Sequence, residues 1–228
     1  MTVRVELPAG PVDIPTAWVP GDGRGAVVIA HGAGAGMEHP FLVGFADALQ
    51  ELGFSILRFD FPYRALGRRM PGPAAQAIAT WRAVVEHARE LAPGQPIWAC
   101  GKSYGGRMAS MAVAEGLDVD ALVYLGYPLH APGKPEKPRA EHLGSIAVPQ
   151  LFVEGANDPF IQPRAQFDDV VAACQNARVE WIEGGGHSFE VRGFKRTADE
   201  IGASLSPLVA EFLRPGVGRG GTASPSAS

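Results

Sequence analysis

Apolar residues in this chain fall into two alternating rhythms. Compact runs of four to seven residues, Ala26–Ala30, Ser55–Phe61, Ile97–Cys100, Ala121–Leu125, Gln150–Val153 and Arg178–Ile182, have the length and content of strands. Between them the spacing becomes helical. Phe41, Phe45, Leu49 and Leu52 share one face of a helix over Phe41–Leu52 that ends at Gly53. Ile78, Trp81, Val85, Ala88 and Leu91 do the same over Ala74–Leu91, which stops before Pro93 and Gly94. Further helices are predicted over Arg107–Glu115, Arg164–Ala173 and Lys195–Leu213, and two short strands, Val3–Leu7 and Ile14–Val19, precede everything. Strands that are apolar on both faces and alternate with helices predict an α/β class, with a mostly parallel sheet covered by helices on both faces.

Two segments leave this rhythm. Leu129–Glu141 is a polar connection rich in Pro and Lys, and 215–228 is a Gly/Ser/Pro/Ala stretch without periodicity. The expected organisation is one domain over 1–214 and a disordered tail over 215–228. A chain of 228 residues buries enough surface to need neither disulfide nor structural metal. Its formal net charge of −4 argues against nucleic acid and anionic membranes as partners. Cys100 and Cys174 form no C-x-x-C and read as small buried hydrophobes. Met1–Pro8 has no apolar signal core and no stretch approaches the ~20 apolar residues of a membrane span, so the cytoplasm is the expected location.

The chemistry concentrates at strand ends. Gly101-Lys102-Ser103-Tyr104-Gly105 matches G-x-S-x-G after a strand and before a helix. A serine at so sharp a turn has strained backbone angles, and glycines two positions either side remove Cβ atoms that would clash. In such α/β sheets the acid follows a later strand and the histidine comes last. Asp158 lies just past Gln150–Val153 and His187 just past Arg178–Ile182, both in glycine-rich loops. Ser103, Asp158 and His187 are therefore the candidate nucleophile, acid and base. An oxyanion hole needs two N–H donors. Tyr104, directly after the serine, is one candidate, and the loop His31-Gly32-Ala33-Gly34 offers Ala33, with Gly34 next to it.

Rival chemistries fit poorly. Read from Gly32, a G-x-G-x-x-G fingerprint needs glycine at 37, where Met37 stands, so no dinucleotide cofactor is expected. No H-E-x-x-H is present and no metal is expected. Cys100 sits inside a strand, away from any turn that would present a thiolate.

Taken with these motifs, His31–Gly36, Arg58–Tyr63, Gly101–Arg107, Leu125–Pro135, Glu141–Leu143, Asp158–Phe160 and Gly186–Phe189 make the sequence similar to the small dienelactone-hydrolase-like α/β-hydrolases. Within that group it most resembles the branch that includes the non-specific-lethal chromatin subunit and its compact bacterial relatives. The resemblance implies an α/β-hydrolase fold, with Ser103 as nucleophile, Asp158 as acid and His187 as base. It also leaves an alternative open, because some relatives act as scaffolds: a non-catalytic binding protein that keeps the fold.

Only 24 residues, 126–149, separate the Ala121 and Gln150 strands, so no sizeable cap domain is expected. The substrate should then be a small ester, lactone or related acyl compound. Candidate substrate-binding residues are Arg64, His130 and Phe160. Arg64 belongs to a basic set with Arg68, Arg69, Lys134, Lys137 and Arg139 on the connections from the strand ends, for which a solvated rim is the plainer account.

Overall fold

A computed structural model describes residues 1–214; the tail expected over 215–228 lies outside the described residues. Eight strands form one sheet: β1 Thr2–Val5, β2 Val12–Val19, β3 Ala26–Ala30, β4 Ser55–Phe59, β5 Ile97–Lys102, β6 Ala121–Leu125, β7 Gln150–Gly155 and β8 Ala177–Ile182. Their spatial order is β1-β2-β4-β3-β5-β6-β7-β8. The β1–β2 and β2–β4 pairs are antiparallel and every later pair is parallel.

Among the described residues six helices cover it: α1 Pro40–Glu51, α2 Pro62–Ala65, α3 Ala74–Leu91, α4 Tyr104–Ala114, α5 Arg164–Ala172 and α6 Ala198–Phe212. The two-residue period of β3 sends Val28 and Ala30 to one face and Val27 and Ile29 to the other. The first face packs on α3, α4 and α5 through Trp81, Met108 and Phe167, and the second packs on α1 and α6 through Phe45 and Leu205. On that second face α1 and α6 approach closely, and the buried Ser206 hydroxyl donates to the Phe45 carbonyl at 2.9 Å. Between β6 and β7 there is only a short 3₁₀ turn, Leu143–Ser145, and no lid domain. No helix among the described residues is long and apolar enough to cross a membrane.

Two helix starts move by three residues and one helix is unforeseen, each for a local reason. α4 begins at Tyr104, three residues before Arg107, because Gly105 and Gly106 are helical residues packed on neighbouring backbone. α6 begins at Ala198, since Thr197 and Glu200 form a capping box in which the Thr197 N–H donates to Glu200 Oε2 at 2.8 Å. This leaves Lys195 and Arg196 in the preceding loop. α2 is a single turn started by Pro62 and had no periodicity to reveal it.

The parallel registers set the ends of the central strands side by side. Ala30 pairs with Gly101, Lys102 with Leu125, Leu125 with Val153, and Gly155 with Ile182. The loops after β3, β5, β7 and β8 consequently open on one rim, the carboxyl edge where such sheets gather their functional groups.

Candidate active site

Ser103 lies at the junction of β5 and α4 with φ 49° and ψ −113°, a conformation that disfavours any residue with a Cβ. Holding it there costs on the order of 1–3 kcal/mol, offset by the packing around the turn. Its N–H donates to the Leu125 carbonyl at 3.0 Å, tying the serine to β6. The turn also needs glycine at 105, because a Cβ there would sit 2.7 Å from the His31 carbonyl oxygen and 2.8 Å from that of Ala30. Both obstacles are backbone and cannot swing aside. We expect Gly105→Ala to destabilise the fold by about 1–3 kcal/mol, measured by urea unfolding. A change below about 0.5 kcal/mol would mean that the backbones of β3 and α4 yield to the added methyl group.

Asp158 and His187 reach this serine from two loops that are themselves knitted together. The Ala156 N–H donates to the Ile182 carbonyl at 3.1 Å and the Asn157 N–H to that of Gly185 at 2.8 Å. Asn157 Nδ2 adds a bond to the Gly184 carbonyl at 3.3 Å. Asp158 is fully buried. Its Oδ1 accepts the Phe160 N–H at 2.8 Å, and its Oδ2 accepts His187 Nδ1–H at 2.6 Å. A carboxylate only accepts, which places the neutral ring's proton on Nδ1 and leaves Nε2 as an acceptor. Nε2 lies 2.8 Å from Ser103 Oγ, which donates to it. Three residues separated along the chain thus form one hydrogen-bonded line.

The loop after β3 is braced from beneath. His31 is fully buried; its Nδ1–H donates to the Gly32 carbonyl at 2.8 Å and its Nε2 accepts the Phe61 N–H at 3.2 Å. Asp60 Oδ1 accepts the Met37 N–H at 2.8 Å. The Tyr63 hydroxyl accepts the Gly34 N–H at 3.1 Å and donates to the Gly32 carbonyl at 3.4 Å. Gly34 therefore spends its donor on the Tyr63 hydroxyl of α2. Ala33 and Tyr104 line the cleft beside Ser103, and neither N–H has an acceptor among the described residues. Of the three oxyanion candidates, Ala33 and Tyr104 line the cleft together with Ser103, and the Gly34 N–H is taken by Tyr63.

Ser103 and His187 line an open cleft of about 610 Å³, with Asp158 buried behind the imidazole. Phe41, Leu42 and Ile201 from α1 and α6 line it together with Pro128, Arg139 and Phe160. The Phe160 ring stacks on the imidazole with centroids 4.1 Å apart. Burial lowers the His187 pKa; the bond to Asp158 opposes this and the Lys102 charge adds to it.

The other substrate-binding expectations fare differently from Phe160. Arg64 is exposed on α2 beyond Gly36 and does not line the cleft. His130 is fully buried, with Nδ1–H on the Ala131 carbonyl, and does not line it either. Of the basic set, Arg139 alone faces the cleft, because its main chain is pinned: its N–H donates to the Leu129 carbonyl and its carbonyl accepts the Tyr127 hydroxyl, both at 2.7 Å. Lys102, His39, Glu190 and Arg196 also border the cleft and were not singled out in the sequence. His39 carried a visible signal, since it stands before the Pro40 start of α1, and its Nδ1 accepts the Phe41 N–H at 3.3 Å. The Cys100 thiol is buried with its pKa pushed up, so it is no rival nucleophile. Among the described residues no cluster of His, Cys, Asp or Glu is arranged to hold a metal ion.

Known structures share this architecture. Dienelactone hydrolase from Anabaena variabilis superposes with a TM-score of 0.72 at 22% identity, covering 92% of this chain and 94% of its own. Est1E from Butyrivibrio proteoclasticus, solved with ferulic acid bound, gives 0.71 at 16% identity over 91% and 98% of the two chains. An α/β serine hydrolase without a lid from Xanthomonas campestris gives 0.65 at 21% identity over 94% and 95%. At these identities the likeness concerns the fold. Residues 23–213 match the alpha/beta hydrolase domain family, and with the sheet order, the strained serine turn and the lidless rim the chain belongs to that family.

Proposed function

We propose that this chain is a serine hydrolase of small esters, lactones or related acyl compounds. The observation that carries the proposal is the line from the buried Asp158 through His187 to Ser103, with spacings of 2.6 and 2.8 Å, whose last two members line an open cleft. Ser103 Oγ attacks the substrate carbonyl carbon while His187 Nε2 takes its proton. The developing oxyanion is held by the Ala33 and Tyr104 N–H groups. Collapse expels the leaving group, which receives the proton from the imidazolium, and leaves an acyl group on Ser103. Water then attacks this acyl group with His187 again as base, releasing the acid and restoring the serine. Asp158 holds the productive tautomer and stabilises the imidazolium.

The absence of a lid suits compact substrates that enter from the rim. Likeness of fold to a dienelactone hydrolase and to a protein solved with ferulic acid supports the same substrate range. A panel of short-chain p-nitrophenyl esters and simple lactones tests it. Turnover of at least one, lost in Ser103→Ala, is expected; no turnover of any, together with no covalent labelling of Ser103, would overturn the reading.

The base must be neutral to act, so kcat/KM rises with pH through the His187 pKa. The sequence alone suggests a midpoint near the free value of about 6.5. Burial in the folded protein moves it below that free value, so activity should be close to its plateau at neutral pH. A pH–rate profile on the best ester checks this; a midpoint at or above about 7 would contradict the burial argument.

A further inference from the structure

Lys102 occupies the variable position of the serine motif, where the turn itself asks for no particular side chain, yet its side chain does not leave for solvent. The residue is 9% exposed, and its Nζ donates to the main-chain carbonyl of His187 at 2.8 Å. It sits 5.6 Å from the centroid of the Phe189 ring, two residues further along the same loop. A buried ammonium is costly unless its surroundings answer it. The groups facing this one are the buried Glu154 and Asp158 on and after β7, and Glu190 beyond the histidine.

The end of β6 is shaped around the same contact. Gly126 has φ 72°, and a Cβ there would lie 3.0 Å from the His187 carbonyl oxygen, 3.3 Å from Lys102 Nζ and 3.5 Å from His187 Cε1. Strand ends β5 and β6 and the histidine loop meet at this point, and Lys102 is the side chain that joins them.

We propose that Lys102 is a positioning residue: by holding the His187 carbonyl from the strand that carries Ser103, it fixes the imidazole at its distance from the serine hydroxyl. The inference rests on the reading of Ser103, Asp158 and His187 as the reacting groups. The ammonium also places a positive charge beside the imidazole, which disfavours a second positive charge there and favours the neutral base. Its own pKa is pulled down to about 8 by burial, so the charge is present at neutral pH.

Lys102→Met removes both donor and charge at similar length. In the folded variant, kcat for the best ester should fall about 10–100-fold while KM stays within about threefold, since orientation rather than binding is lost. The His187 titration followed by NMR should move upward, and the acidic limb of the rate profile with it. Lys102→Arg, which keeps the charge, should leave the titration near wild type. Lys102→Gln keeps a donor without the charge and reads the same titration should the Met variant unfold. An unmoved His187 titration in a folded, uncharged variant would overturn the proposal, as would a kcat within about twofold of wild type. The NMR titration requires no turnover, so it tests the Lys102 charge beside the imidazole even where the ester panel fails, and labelling of Ser103 decides the other question separately.

Discussion

Ser103→Ala should lower kcat by about 10⁶-fold on any ester the wild-type protein cleaves, with little change in KM. The loss is so large because the remaining groups have nothing left to activate. His187 Nε2 points at Oγ from 2.8 Å, and among the described residues Ser103 is the hydroxyl bonded to it; Cys100 is buried inside β5 and Tyr104 turns its ring to Phe61, centroids 5.3 Å apart. The two candidate oxyanion donors belong to the main chain and stay, so a residue of catalysis above the water reaction should survive. Far-ultraviolet circular dichroism and the unfolding midpoint should be nearly unchanged, since only one oxygen is removed. Activity above about one per cent of wild type would mean that another group performs the attack.

Asp158→Asn should cost about 10⁴-fold in kcat at neutral pH in a protein that still folds. The reason lies in what holds the carboxylate. Oδ1 is already committed to the Phe160 N–H at 2.8 Å, so an asparagine keeps its carbonyl there and turns its amide N–H groups toward His187. That amide donates to Nδ1, the ring proton moves to Nε2, and the nitrogen facing Ser103 can no longer accept a proton. Two donors then meet at the serine. Steady-state rates on the same ester check this, and the imidazole tautomer is readable from its nitrogen chemical shifts. A fall of less than about tenfold would show that Asp158 serves chiefly the turn before α5 rather than the histidine.

Much of this was readable in the chain because it rests on local constraints. A parallel strand buried on both faces must be an apolar run, so the bounds of β3 and β6 match the runs Ala26–Ala30 and Ala121–Leu125. The serine turn announces itself because glycines are forced where backbones nearly touch, as at 105. Topology then orders acid and histidine. What stayed hidden depends on distant packing. Nothing local says that Lys102 folds back to a carbonyl 85 positions away, or that the Tyr63 hydroxyl uses up the Gly34 donor while leaving that of Ala33. Arg64 and His130 lie on connections from the right strand ends, but one sits on a helical turn outside the cleft and the other is packed into the interior. Arg196 came into reach because the Thr197–Glu200 box starts α6 after it; Thr-x-x-Glu was a usable signal in the sequence.

Treatment of the wild-type protein with a fluorophosphonate, followed by proteolysis and tandem mass spectrometry, asks most directly whether the 103 hydroxyl is an activated nucleophile. The account predicts a single stoichiometric phosphonyl adduct on Ser103, formed slowly in Asp158→Asn and absent from Ser103→Ala. An adduct on another residue, or none on a folded protein at neutral pH, would contradict it.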